Sequence, residues 1–184
     1  MKKFFSSLFV AAIFLYSSVA MAAYEETVPE DSDLGSIKTL AIALPMHYKV
    51  ELTEPNTMEF SDIIFNAGRL AQCEIISYDD IVDNIWHDAK IDIKALADND
   101  SRRIFTENVA KYADAYLLVT SANNNKFNQF FFEVRDAKDG SMMYLFNTQS
   151  RYYGKNLKGY TKACEDFYGR FNSVVQKAAK KKNG

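Results

Sequence analysis

Apolar residues fall into short blocks along this chain, and the period of each block predicts an element. Ile37 to Leu44 is a compact apolar run closed by Pro45, the mark of a buried strand. A charged loop containing Tyr48 follows, as far as Pro55. Asn56 and Glu59 have capping-box spacing, and Ile63, Ile64, Ala67, Leu70 and Ala71 then recur at helical intervals. Glu74 to Ser77 predicts a second short strand. Ser77 and Asp80 open a further helix whose stripe is Ile81, Val82, Ile85 and Trp86. Ile91 to Ile93 reads either as a short extended piece or as a connector. Asp100 then caps a helix from Ser101 to Tyr112, with Phe105, Val109 and Ala113 four residues apart. Ala115 to Thr120 is apolar at consecutive positions, so both of its faces need cover, as in a parallel sheet. Gln129 to Arg135 and Ser141 to Thr148 flank a turn ending in Gly140, which predicts a hairpin. A last helix from about Thr161 carries the stripe Cys164, Phe167, Phe171, Val174 and Ala178.

This order predicts an α/β fold, in which right-handed crossovers build a parallel core. The expectation is a single three-layer domain with a mixed five-stranded sheet: three parallel strands plus an antiparallel hairpin, with helices on both faces. It would span residues 36–184. Residues 23–35 are acidic and punctuated by Pro29 and Gly35, and read as a flexible leader. Residues 1–22 read as a secretory signal peptide. Lys2 and Lys3 precede an apolar run from Phe4 to Tyr16, and small residues end in Ala20-Met21-Ala22.

Cleavage there leaves roughly 160 residues, enough for one substantial core. The full chain has 22 Lys and Arg against 24 Asp and Glu. Loss of Lys2 and Lys3 leaves the product more acidic, with Lys177, Lys180, Lys181 and Lys182 gathered at its tail. An acidic body argues against nucleic acid as a partner. No Cys follows the apolar run to carry a lipid, and no later segment reaches the roughly twenty apolar residues of a membrane span. The expected product is exported, periplasmic or extracellular, soluble and not lipidated.

Candidate chemistry is sparse. Asp79, Asp83 and His87 are four apart and share a helix face, a spacing open to a divalent metal or to an ordinary charged surface. His47 and Tyr48 follow the first strand, and Asn123, Asn124 and Asn125 follow the third, at the sheet end where α/β folds bind ligands. Tyr152 and Tyr153 offer an aromatic contact patch, and the sheet edge beyond the hairpin offers another. Cys73 and Cys164 can form a disulfide in an oxidising compartment or remain as buried thiols. No Gly-x-Ser-x-Gly is present, and no pair of carboxylates stands out. No catalytic residue and no cofactor is expected.

Four segments carry a resemblance: Ile37 to Pro45, Ile75 to Ile81, Ala113-Asp114-Ala115 through Thr120, and Phe131 to Gly140. Together they resemble a group of bacterial envelope α/β domains. The group includes the amino-terminal domain of the Tol-Pal translocation protein, the periplasmic domain of the curli-secretion lipoprotein, and the lipoprotein activators of peptidoglycan synthases. The resemblance implies a non-enzymatic binding or assembly module whose partner is another envelope protein. It transfers no catalytic residue. This chain lacks the group's lipidated Cys and the length for membrane-spanning hairpins. The alternatives are a small-ligand or metal-binding domain using the strand-end loops, and a hydrolase acting on an envelope polymer.

Overall fold

The computed structural model describes residues 24–48, 55–123, 128–150 and 157–182. In chain order the elements are β1 (Glu25–Thr27), β2 (Thr39–Ile42), β3 (Met46–Tyr48), α1 (Thr57–Ala67), β4 (Glu74–Ile76), α2 (Tyr78–Ala89), α3 (Asp98–Asn108), β5 (Ala115–Asn123), β6 (Asn128–Asp136), β7 (Met142–Ser150) and α4 (Leu157–Lys182). The strands form one mixed sheet in the order β1-β7-β6-β5-β2-β4, and β3 also pairs with β5. The β2–β4, β2–β5 and β3–β5 pairs are parallel. The β5–β6, β6–β7 and β1–β7 pairs are antiparallel.

The mixed α/β architecture agrees with the sequence reading, but the sheet has seven strands rather than five. Both additions lie where the sequence offered no apolar period. β1 is Glu-Glu-Thr, and its partner is the backbone of β7, so its pairing needs no hydrophobic side chain. It lies inside the segment expected to be a flexible leader. That expectation fails for a second reason: Leu34 is buried in the core and the Gly35 backbone packs closely on Ala179 of α4. The signal segment 1–22 lies outside the described residues.

The core divides into two clusters according to the alternation of β2 and β5. Leu40, Ile42, Ala115, Leu117 and Val119 join Phe60 and Ile64 of α1 and Phe167, Tyr168 and Phe171 of α4. Ala41 and Tyr116 point the other way, to Ile81, Val82 and Ile85 of α2 and to Phe105 of α3. The predicted stripe of α4 is buried at Cys164, Phe167 and Phe171, and partly buried at Val174 and Ala178. Phe167 stacks on Phe132 with centroids 4.7 Å apart and planes 8° from parallel.

Local signals fix the element ends. The Asn56–Glu59 capping box forms reciprocally, with both hydrogen bonds at 2.9 Å. Ser77 Oγ accepts from the Asp80 amide at 3.1 Å. α3 begins at Asp98, two residues before the expected cap, and the Ser101 hydroxyl turns inward to donate to the Ile93 carbonyl. Asp114 ties β2 to β5 at their starts. Its Oδ2 accepts from the Lys38 and Thr39 amides and from the Thr39 hydroxyl, at 2.9, 3.0 and 3.1 Å. Among the described residues, no helix is long and apolar enough to cross a membrane.

Candidate functional site

β2 and β3 are two pieces of one interrupted strand lying along β5. Ile42 is the partner of Leu117, and Met46 is the partner of Thr120. Four steps on one strand oppose three on the other, so one extra residue is accommodated at Ala43–Pro45. Pro45 has no amide to give the ladder, which makes this the natural place for the break. The extra residue inverts the faces. His47 therefore points to the α1/α4 side, and Met46 and Tyr48 point to the other.

His47 meets a residue that sequence reasoning missed. Its Nδ1 lies 2.8 Å from Ser121 Oγ, and its ring packs at 5.3 Å from Phe60. Burial holds the His47 pKa below its ordinary value, so the ring is neutral near pH 7. Ser121, Asn123, Asn128 and Thr148 are all buried polar residues on this face, at the same end of β5, β6 and β7. Beneath them Tyr160 packs edge-on against Phe60 at 4.9 Å and against Phe130 at 5.0 Å. The result is a polar layer over an aromatic core. A Ser beside a His could in principle be a nucleophile and its base. Ser121, however, is only 2% exposed, so it is a buried residue and not one set in an open cleft.

The other predicted residues separate. Tyr48 is 62% exposed on the opposite face from His47. Asn123 is buried in the polar layer, whereas Asn124, Asn125, Tyr152 and Tyr153 lie outside the described residues. The described parts of β3, β5 and β7 end at Tyr48, Asn123 and Ser150, at one common end of the sheet. Asp79 and Asp83 both face Lys94, at 2.7 and 4.0 Å, and His87 contacts Asp88 at 3.2 Å. The carboxylates thus serve an ammonium instead of converging with the imidazole. Among the described residues, no group of three His, Cys, Asp or Glu side chains is placed to hold a metal. Cys73 and Cys164 are free thiols, so the disulfide is not formed. Cys164 is sealed in the core on α4 and Cys73 sits half-buried before β4, and burial pushes both thiols above their ordinary pKa.

A second surface lies on the far side of the hairpin. Gln129, Phe131, Glu133 and Arg135 of β6 and Leu145, Asn147 and Gln149 of β7 point away from α4. No β6 or β7 residue joins the cluster under α2 and α3. This face therefore has no helix over it among the described elements. Phe131 and Leu145 are half-buried there, beside a Glu133–Arg135 ion pair at 2.6 Å. The edge of β7 itself is not free, because β1 occupies it from Leu145 to Asn147.

No protein-family model matches this sequence, and no curated protein does. Solved structures do. The C-terminal domain of LpoB from Escherichia coli is 11% identical with a TM-score of 0.49, covering 64% of this chain and 85% of that one. A PelC dodecamer from Paraburkholderia phytofirmans is 11% identical with a TM-score of 0.47, covering 85% and 98%. The lipoprotein GNA1162 from Neisseria meningitidis is 12% identical with a TM-score of 0.46, covering 72% and 96%. These likenesses include an LpoB domain and a lipoprotein, in keeping with the group that the sequence motifs resemble.

Proposed function

We propose that this chain is an exported, non-enzymatic module of the bacterial envelope that works by holding another envelope protein. The observation that supports this most is the helix-free outer face of β6 and β7. Its apolar centre of Phe131 and Leu145, bordered by Gln129, Glu133, Arg135 and Asn147, has the layout of a contact surface. The polar layer around His47 and Ser121 favours positioning over chemistry, because the Ser121 hydroxyl beside the imidazole is buried. On this reading residues 1–22 are removed on export, and the product is a three-layer body. The sequence between Ser17 and Ala23 holds no Cys, which favours a free product over a lipidated one.

The test is site-specific photo-crosslinking in intact envelopes. A crosslinker placed at Phe131 or Leu145 is expected to capture one discrete protein, whereas the same group at Trp86, exposed on α2, captures none. Phe131→Glu should abolish capture at 145 without changing the circular dichroism spectrum. Adducts of equal yield at all three positions, or none at 131 and 145, would refute the reading. Amino-terminal sequencing of the exported protein checks the cleavage site separately.

A further inference from the structure

On the other side of the β2–β3 break, Leu44, Met46, Tyr78, Phe105, Tyr116 and Leu118 enclose a cavity of about 110 Å³ between the sheet and α3. An apolar cavity of about 150 Å³ is enough to hold a benzene ring. This one accepts a body slightly smaller than that, or a ring that protrudes through its mouth. The wall has one cationic member. Arg102 is half-buried, and its Nη1 donates to the Leu44 carbonyl at 3.0 Å, which pins the guanidinium at the cavity.

The charge balance around Arg102 is unusual for this molecule. Its neighbour Arg103 is held by Glu107 and Asp100, at 3.1 and 3.4 Å. Arg135 is held by Glu133. Among the described residues, no carboxylate lies within 4.0 Å of the Arg102 nitrogens. Lys94, Asp79, Arg102 and Asp98 all act on the Tyr78 hydroxyl in this same wall. The Lys94–Asp79 pair is closed on itself at 2.7 Å. That leaves Arg102, with Asp98 one helical turn earlier and out of ion-pair reach. A planar guanidinium with one of its five donors engaged suits a bidentate carboxylate. The space beside it is apolar.

We propose that this cavity is a binding site for a small carboxylic acid with a compact apolar body, the acid on Arg102 and the body against Phe105 and Met46. A neutral compound of the same shape would fill the cavity but leave the guanidinium unpaired. The acid should therefore be favoured by at least about tenfold, the scale of a hydrogen bond to a charged group. The proposal is independent of the protein-binding face, which lies on β6 and β7.

The experiment is calorimetric titration of the full mature chain at low salt with 3-methylbutanoate, whose branched body is smaller than a benzene ring, and with its uncharged amide, 3-methylbutanamide. The expected result is saturable binding of the acid, at least tenfold tighter than the amide. Arg102→Met should erase that preference, and Arg102→Lys, which keeps the charge but loses the planar fork, should keep only part of it. Thr106→Trp should block both compounds, because Thr106 is an exposed residue at the cavity and can be enlarged without disturbing the core. Equal affinity for acid and amide would overturn the proposal. So would the absence of saturable binding, or binding that survives Thr106→Trp unchanged.

Discussion

Asp114 is the residue whose removal tests the fold most directly, because one carboxylate oxygen holds two strands in parallel register. Its Oδ2 accepts from the Lys38 amide, the Thr39 amide and the Thr39 hydroxyl. These positions open β2, and Ala115 opens β5 beside them. A hydrogen bond to a charged group contributes about 1.5–3 kcal/mol where water is excluded. Asp114 is exposed, so water can replace it at the stranded amides, and the three bonds do not sum. Asp114→Ala should therefore cost about 2 kcal/mol, close to the loss of a strong helix cap. Asp114→Asn keeps one acceptor and should cost about half of that. Burial raises the Asp114 pKa, but the bonds from Lys38 and Thr39 outweigh it, and the net value lies below the ordinary one. The sign follows from linkage. A depressed carboxylate stabilises above its unfolded pKa of about 3.9 and loses that stabilisation as pH falls through its lower folded value. Urea melts of the wild type and Asp114→Asn should thus be separated by a constant gap between pH 7 and pH 5. The gap should close in stronger acid, with equal m-values throughout. An Ala variant within about 0.5 kcal/mol of wild type at pH 7, or a gap that persists unchanged below pH 3, would refute the reasoning.

Two further outcomes are expected. Phe167→Ala removes the ring that stacks on Phe132 and touches Tyr144, Phe146, Tyr168 and Phe171, and should cost about 3–5 kcal/mol in chemical denaturation. The His47 ring should titrate below about 6.5 by NMR, because burial disfavours its charged form. Its stabilising neutral state is complete above that pH and is lost as pH falls toward the lowered folded value, and a midpoint at or above 6.5 would contradict the burial described.

The elements that were legible in the sequence are those whose side chains do the packing. Consecutive apolar residues from Ala115 to Val119 announced a strand covered on both faces, and β5 divides them between two clusters. Asn56 and Glu59 announced the start of α1 because a capping box is a local contact, complete within four residues. The hairpin turn was legible for a similar reason. Gly140 adopts a φ of 72°, a region glycine enters freely, and its amide donates to Asp136 at 3.0 Å. β1 was not legible, since a polar edge strand is held by the backbone of β7 and no side-chain period records that. Ser121 was missed because the apolar run was closed at Thr120. The alternation Leu117, Val119, Ser121, Asn123 continues on one face, and following it would have carried the strand into the polar layer. Arg102 was hidden among the charges of α3, where Arg103 has an ordinary surface role; the Leu44 carbonyl, half-burial and the lack of an ion pair among the described residues set Arg102 apart.

The break at Ala43–Pro45 is the step that joins these findings. Had β2 run on without an extra residue, the β5 register would place residue 46 on the α1/α4 face, and His47 would face α3. The Ser121–His47 contact would be lost, and an imidazole would replace Met46 in the wall of the apolar cavity. One inserted residue therefore sets the character of both sides of the sheet end at once. It sends a polar ring to the buried polar layer and a flexible apolar side chain to the cavity beside Arg102. Proline is suited to that position because the ladder has no use for an amide there. The same insertion turns Tyr48 outward, on the face that carries Phe131 and Leu145 farther along the sheet. The two surfaces proposed here, one for a protein and one for a small acid, thus belong to the same face of the sheet, on either side of the line where α2 and α3 stop covering it.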